Sequence, residues 1–424
     1  MEQVAGDFLA TERAVTAPLS RTFANLLALL VGLAPALLVP LTWTTDAAAA
    51  DATWFLRATS TTVLLSEMAV VAVALLRGIA WRRFTDSALL LPAAALAAIA
   101  VGTALYAAPS PAAAHIANLQ YLLHVAFFIA LVSLLRAGLE AEALRVAYAA
   151  GFLLFAVGVG LFFLLTPWTI PFDWRHHVPG VAHVRQYGLY AVPVAALSLG
   201  GLVAVGDLPR RLLFGIAIFA ASFLCAYTGS RGALYSMLIG SALGLALLPA
   251  LRARRVLIPA ALAIAGGILL ALPLPAPSDD MGAARSVPGA EAAQSEDFTT
   301  GRTALWVKTW GAIEQRPLFG YGEGQLPWVV DFYRMPQPHN VILQIAFAWG
   351  LVGLALAAWV AVRIGWRTFG RVRADPQANA GTLLIVAMLG VYAMVDGVFY
   401  RSIPLSIFAA AFAMTWAVPT RYRP

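Results

Sequence analysis

Residues 337–361 read QPHNVILQIAFAWGLVGLALAAWVA: a proline-bounded polar entry, a histidine, an asparagine, then an apolar run that carries no charge. At 1.5 Å per residue, such a run is long enough to cross about 30 Å of hydrocarbon. Working outward, runs of the same kind recur at roughly 24–43, 60–76, 87–107, 119–135, 145–166, 186–205, 212–228, 232–250, 256–273, 339–361, 380–398 and 403–419. They are continuous rather than alternating, which excludes a transmembrane β-barrel. The expected fold is an all-α polytopic membrane protein of about twelve transmembrane helices.

Composition agrees. Of 424 residues, 61% are hydrophobic and 12% charged, which rules out a string of soluble domains. The chain divides into residues 1–273, a membrane region of about nine spans; residues 274–338, an extramembrane loop with an amphipathic helix; and residues 339–424, a membrane region of about three spans. The first run resembles a signal peptide near Asp46-Ala47-Ala48-Ala49-Ala50. It is too long for an h-region, and acids as well as arginines precede it, so it reads as a retained anchor. The least certain boundary is the tight turn Thr228-Gly229-Ser230-Arg231.

Orientation follows from the arginines. If the N-terminus is cytoplasmic and the spans alternate, eighteen arginines fall on that side; the short loops opposite hold Arg57, Arg175, Arg185, Arg231 and Arg401. The positive-inside rule then predicts both termini in the cytoplasm. The net charge of +7 is mostly this topological signal rather than a nucleic-acid footprint. The single cysteine, Cys225, excludes a disulfide within the chain.

In the outward loop, residues 275–300 are rich in Pro, Ala, Ser and Asp and are expected to be mobile. Trp306, Trp310 and Ile313 then recur at helical spacing and predict a short helix ended by Pro317. It either packs on its own protein or lies in the outer headgroup layer. Gly320-Tyr321-Gly322-Glu323-Gly324 lacks the spacing and strand context of a dinucleotide fingerprint, no Walker motif occurs, and no matching halves suggest a transporter's inverted repeat.

Three arginines lie on the side that topology depletes: Arg185, Arg231 and Arg302. Each alone reads as a snorkelling anchor; together they suit an anion, because guanidinium grips phosphate bidentately and stays charged. His339, expected in the first turn of its helix, reads either as a structural hydrogen-bonding residue or as a base kept neutral by the positive end of the helix dipole. Asp173, His176, His177 and His183 have no spacing diagnostic of a metal. Of the intramembrane acids, Asp396 is expected to pair with Arg401; Glu67 has no assigned partner.

In order along the chain, Thr228-Gly229-Ser230-Arg231-Gly232-Ala233, Gly301-Arg302 with Trp306 and Trp310, Pro317-Leu318-Phe319-Gly320-x-Gly322-x-Gly324, and His339-Asn340 followed by Trp349-Gly350-Leu351-Val352-Gly353 resemble the signature of the O-antigen ligase/polymerase superfamily. The resemblance covers the whole chain and implies a GT-C-like glycosyltransferase with one large periplasmic loop containing short helices. It implies a Gram-negative inner-membrane enzyme that transfers a glycan from undecaprenyl diphosphate to lipid A-core oligosaccharide on the periplasmic face, with inversion and without metal, nucleotide, nucleic acid or other cofactor. His339 would activate the acceptor hydroxyl, Arg185 and Arg231 would hold the diphosphate with Arg302 as a third, and Asn340, Tyr321 and Trp306 are candidate donor or acceptor contacts. The motifs supply no carboxylate partner for His339. A Wzy-type polymerase or a protein O-oligosaccharyltransferase differs from this reading in its acceptor; an exporter or flippase would need a charged interior pathway, hinted at only by Glu67 and Asp396.

Overall fold

The computed structural model describes residues 18–79, 84, 87–169, 172–278, 281–283, 302–333 and 335–417. Among these, every regular element is helical. The principal helices are α1 (Arg21–Leu33), α2 (Thr61–Arg77), α3 (Ser87–Tyr106), α4 (Pro111–Arg136), α5 (Ala141–Leu165), α6 (Tyr187–Ala204), α7 (Leu208–Tyr227), α8 (Arg231–Leu247), α9 (Arg254–Ala271), α10 (Arg302–Gln315), α11 (Val341–Ala374), α12 (Pro376–Ala393) and α13 (Ser402–Ala417).

Each of the expected apolar runs coincides with one of these helices, and α10 is the loop helix. Eight helices are long and apolar enough to cross a membrane; α1, α8 and α13 are apolar but shorter. α1 stops at Leu33, and a separate turn of helix that contains Pro40 follows Pro35 at Leu38–Leu41. The uncertain split is real: Gly229 turns at φ 65° between the end of α7 and the start of α8. Two short helices, Ala47–Ala52 and Trp54–Thr59, fill a connection that the hydropathy pattern leaves blank.

The centre of the bundle is α6, 94% of whose apolar window is buried, whereas α3 is only 11% buried and faces outward on most sides. Gly200 of α6 meets Gly381 of α12 so closely that an added Cβ would overlap the Gly381 backbone, letting the two backbones touch. One hydrophobic core draws on residues from both ends of the chain, from Leu27 to Met414.

α11 contains the main irregularity. Gly350 sits at φ 68°, ψ −174° and divides the 34-residue element into two helices. Ordinary helical bonding would join Leu351 N to Phe347 O and Val352 N to Ala348 O. Both bonds are exchanged for partners in the loop after α10: Leu351 N donates to Pro317 O (2.7 Å), Val352 N to Leu318 O (3.3 Å), Tyr321 N to Phe347 O (3.0 Å) and Gly322 N to Ala348 O (2.8 Å). Side chains at Gly320 or Gly350 would overlap these carbonyls. Tyr321 stacks on Phe347 at 5.1 Å, and the Arg316 guanidinium lies over the Tyr321 ring at 4.7 Å. The glycine-rich stretch is thus the plug of a broken helix.

The α10 helix keeps only part of the expected face inward: Ile313 is buried and Trp306 partly so. Leu305, Thr309, Ala312 and Ile313 are buried, while Trp310 is half exposed and donates to its own Glu314 Oε1 (2.7 Å). The expectation of mobility over 275–300 lies mostly outside the described residues.

Gly350→Ala is expected to destabilise the protein by more than about 3 kcal/mol, because it adds a Cβ where only glycine conformations are allowed and where Leu318 O already sits. Gly370→Ala, with open space around its Cβ, is expected to be neutral or slightly stabilising. Thermal unfolding in detergent separates the two. Behind the plug, burial pushes the Glu323 carboxyl up to about 7, against the pull of hydrogen bonds from Gln344 and the Gly324 N–H. The folded state therefore holds a proton that the unfolded chain releases near 4.5, so this contribution to stability is full below 4.5 and lost as pH rises through about 7. Unfolding midpoints measured across that range should fall with pH in the wild type and lose this component in Glu323→Gln.

Candidate active site

Five chemically active side chains converge on helix ends at one end of the bundle. Arg185 lies in a single 3-10 turn, Val184–Gln186, leading into α6; Arg231 opens α8; Arg302 opens α10; His339 immediately precedes α11; Asp396 follows α12. A cavity is lined by Arg185, Gly229, Ser230, Arg231, Gly232, Arg302, Tyr392 and Asp396. The three arginines singled out by sequence are thus brought together. The N-terminus of α8 borders the same cavity without a side-chain cap, because the Ser230 hydroxyl donates to Arg185 O instead (3.0 Å). First-turn amides and guanidinium groups add to a strongly anion-attracting lining.

His339 is not in the first helical turn. It stands before the cap, at φ 55°, while Asn340 is the N-cap and accepts from Ile342 N and Leu343 N. A left-handed non-glycine residue persists only where its surroundings hold it. The hold is visible: His339 N donates to Gln337 Oε1, and Gly397 approaches Gln337 so closely that a Cβ there would overlap the Gln337 amide. The Trp306 indole N–H donates to Pro338 O (2.8 Å), one residue before His339.

The imidazole has the carboxylate partner that its own motif lacks. His339 Nδ1 lies 3.0 Å from Asp396 Oδ1, which also accepts from Gly397 N (2.7 Å). Gln337 Nε2 is 3.0 Å from the same ring nitrogen, but the carboxylate can only accept, so the Nδ1 proton belongs toward Asp396 and Nε2 keeps its lone pair. Burial alone would raise the Asp396 carboxyl; the His339 hydrogen bond and charge, Arg302 and the Gly397 N–H hold it well below the usual carboxylate range. The expected Asp396–Arg401 pair is replaced: Arg401 donates to Ala58 O (3.1 Å) and packs on the Tyr400 ring.

The other candidate residues have the following partners. Asn340 Nδ2 donates to Met394 O (3.1 Å), tying the His339 turn to the Asp396 turn. Tyr321 belongs to the plug. Glu67 meets His124 Nδ1 at 2.8 Å in the apolar interior. His176 pairs with Asp173 (3.0 Å) and His177 with Asp51 (3.1 Å). Burial, with Arg185, His176 and Arg175 nearby, pushes His183 down to about 3. No group of three metal-ligating side chains forms among the described residues.

Sequence reading counted Arg57 only as an outward arginine. It is 2% exposed and donates to the carbonyls of Ala50, His176, Val178 and Val181, fixing the loop that delivers Arg185. Nothing local marks that role, since all four acceptors are backbone atoms.

The arrangement defines a polytopic helical membrane protein with a histidine–carboxylate pair set against an arginine-lined cavity. Residues 216–358, which run from within α7 to within α11, match the family model described as O-Antigen ligase, so this third of the chain is similar to that family. The match includes Arg231, Arg302 and His339; Arg185 and Asp396 lie outside it. No curated protein matches the chain.

Arg57→Met is expected to destabilise the protein by about 3 kcal/mol, since it leaves buried carbonyls unsatisfied. The check is thermal unfolding, with limited proteolysis localising the loosened segment to the loop before Arg185.

Proposed function

We propose that the chain is an inner-membrane glycosyltransferase that transfers O-antigen glycan from undecaprenyl diphosphate to lipid A-core oligosaccharide on the periplasmic face. The observation that carries this reading is the double membership of Asp396, which orients the His339 imidazole and also lines the arginine cavity. A base and an anion site that share one carboxylate suit a reaction in which a hydroxyl attacks a carbon bearing a diphosphate.

In this reading Arg185, Arg231 and Arg302, with the α8 N-terminus, hold the donor diphosphate. The acceptor hydroxyl hydrogen-bonds to His339 Nε2. Its oxygen forms a bond to the anomeric carbon while the carbon–oxygen bond to the diphosphate breaks, and that electron pair leaves with undecaprenyl diphosphate. The hydroxyl proton passes to Nε2, and Asp396 stabilises the resulting imidazolium. Direct displacement inverts the anomeric centre. The leaving group already bears charge, so guanidinium stabilisation matters more than its protonation. The arginine asymmetry between the two sides of the bundle supports cytoplasmic termini and a periplasmic site.

The test is transfer from a defined undecaprenyl-diphosphate glycan to purified lipid A-core. His339→Ala is expected to lose about 10²–10⁴-fold in rate at unchanged folded yield. Arg231→Lys should remain badly impaired, since one ammonium cannot reproduce a bidentate grip. Monophosphate-linked donors should be poor substrates, and EDTA should leave the rate unchanged, because the guanidinium groups supply the positive charge. Full activity in His339→Ala would overturn the assignment. Extension of a second lipid-linked glycan in place of transfer to core would identify a Wzy-type polymerase.

A further inference from the structure

Outside its buried stripe, α10 has two sides that differ in chemistry. With 3.6 residues per turn, the stripe of Leu305, Thr309, Ala312 and Ile313 has Trp310 and Val307 on one flank and Lys308 and Gln315 on the other. Trp310 is 50% and Val307 67% exposed, and Leu318 and Phe319, just beyond the helix, are also more than half exposed. Glu314 shares the apolar flank, where its carboxylate takes the Trp310 indole N–H (2.7 Å). Surrounded by water, these large apolar side chains would be a patch without a partner.

The position of the segment says what covers them. The Arg316 guanidinium donates to Ala107 O (3.0 Å). Gln325 exchanges two bonds with the Ser110 backbone, accepting from its N–H (2.7 Å) and donating to its carbonyl (2.9 Å). Ala107 and Ser110 belong to the turn between α3 and α4, two helices that each have the length and apolarity to cross a bilayer. A turn between two such spans lies at a membrane boundary. The neighbouring surface is apolar as well: Leu105 and Tyr106, at the end of α3, are exposed. On α11, Leu351 and Val352 donate their N–H groups to the Pro317 and Leu318 carbonyls and expose their own side chains. Val307, Leu318 and Phe319 offer no polar group to a sugar, so the chemistry of the patch favours lipid.

We propose that residues 302–319 form a monotopic element, with Val307, Trp310, Leu318 and Phe319 seated at the headgroup–acyl boundary of a phospholipid leaflet and Lys308 and Gln315 turned to water. Tryptophan suits that depth, since its ring is apolar and its N–H polar. Arg302 opens the same helix, and Trp306 bonds the peptide before His339. The arginine cavity therefore opens at the level of the lipid phosphates rather than above the membrane. The inference does not depend on the assigned reaction.

The test reads depth directly. Cys225 is the only cysteine and is fully buried, so a cysteine placed on the surface is the one accessible thiol. Val307→Cys, Trp310→Cys and Phe319→Cys, with Lys308→Cys and Gln315→Cys for the opposite flank, are nitroxide-labelled in the full-length chain. Each is reconstituted in nanodiscs of phosphatidylcholine and phosphatidylglycerol, and collision with oxygen and with a nickel chelate is measured. Labels at positions 307, 310 and 319 should lie about 5–10 Å below the phosphates, and those at 308 and 315 above them. Trp310→Cys removes an anchor; if thermal unfolding shows that variant unfolded, positions 307 and 319 decide the result. Nickel access at 307, 310 and 319 equal to that at 308 and 315 would overturn the proposal. Nickel access there that falls only when a lipid-linked glycan is added would mark a sugar-binding platform and overturn it as well.

Discussion

Two helical hydrogen bonds missing from α11 are made instead to the loop after α10, and much of the site depends on that exchange. Backbone groups inside a membrane protein must be satisfied within the protein, so a helix can break only where another segment supplies both donors and acceptors. Residues 317–322 do so, and in doing so they dock the α10 segment onto the bundle. That docking sets α10, whose first residue is Arg302 and whose Trp306 holds the peptide before His339. The glycines at 320 and 350 are required because two backbones meet there without room for a Cβ.

The reactive groups sit at helix ends, where backbone direction changes and separate elements can meet. His339 and Asp396 are 57 residues apart, yet the Asn340 amide reaches Met394 O and the Gln337 amide packs on Gly397, so their two turns form one unit. Asp396 then faces both ways, toward the imidazole and toward the arginines. Arg185 reaches the cavity from a loop that Arg57 clamps by its carbonyls. Rigid support of this kind is what a base and an anion site need if they are to act on one substrate.

Much of this was legible in the sequence. Apolar runs marked the membrane helices because a bilayer demands length and continuity. The loop arginines stood out because topology should have removed them, and they do share a cavity. What stayed hidden is tertiary. The partner of His339 could not be read because Asp396 lies beyond another membrane helix, and the nearby Arg401 offered a simpler pairing. The position of His339 was misjudged by one capping residue, since Asn340 is also a good cap. On α10 the buried stripe is Leu305, Thr309, Ala312 and Ile313, so of the three spaced apolar residues only Ile313 makes the inner contact, and Trp310 is half exposed. Glu323 was noted only within the glycine stretch; its burial follows from the plug, which no local pattern announces.

The break at Gly350 also bears on lipid composition. An unbroken α11 of 34 residues would be a rod about 51 Å long, well beyond the hydrocarbon thickness. The discontinuity leaves a rod of about 36 Å over residues 351–374 and a short foot over 341–349, whose tip carries Asn340 and His339. A helix longer than its bilayer tilts to bury its apolar length, and the tilt varies with membrane thickness. Here the foot is fastened to the loop after α10 and to the turn after α12, so the place of His339 is set by those bonds rather than by the direction in which the rod continues.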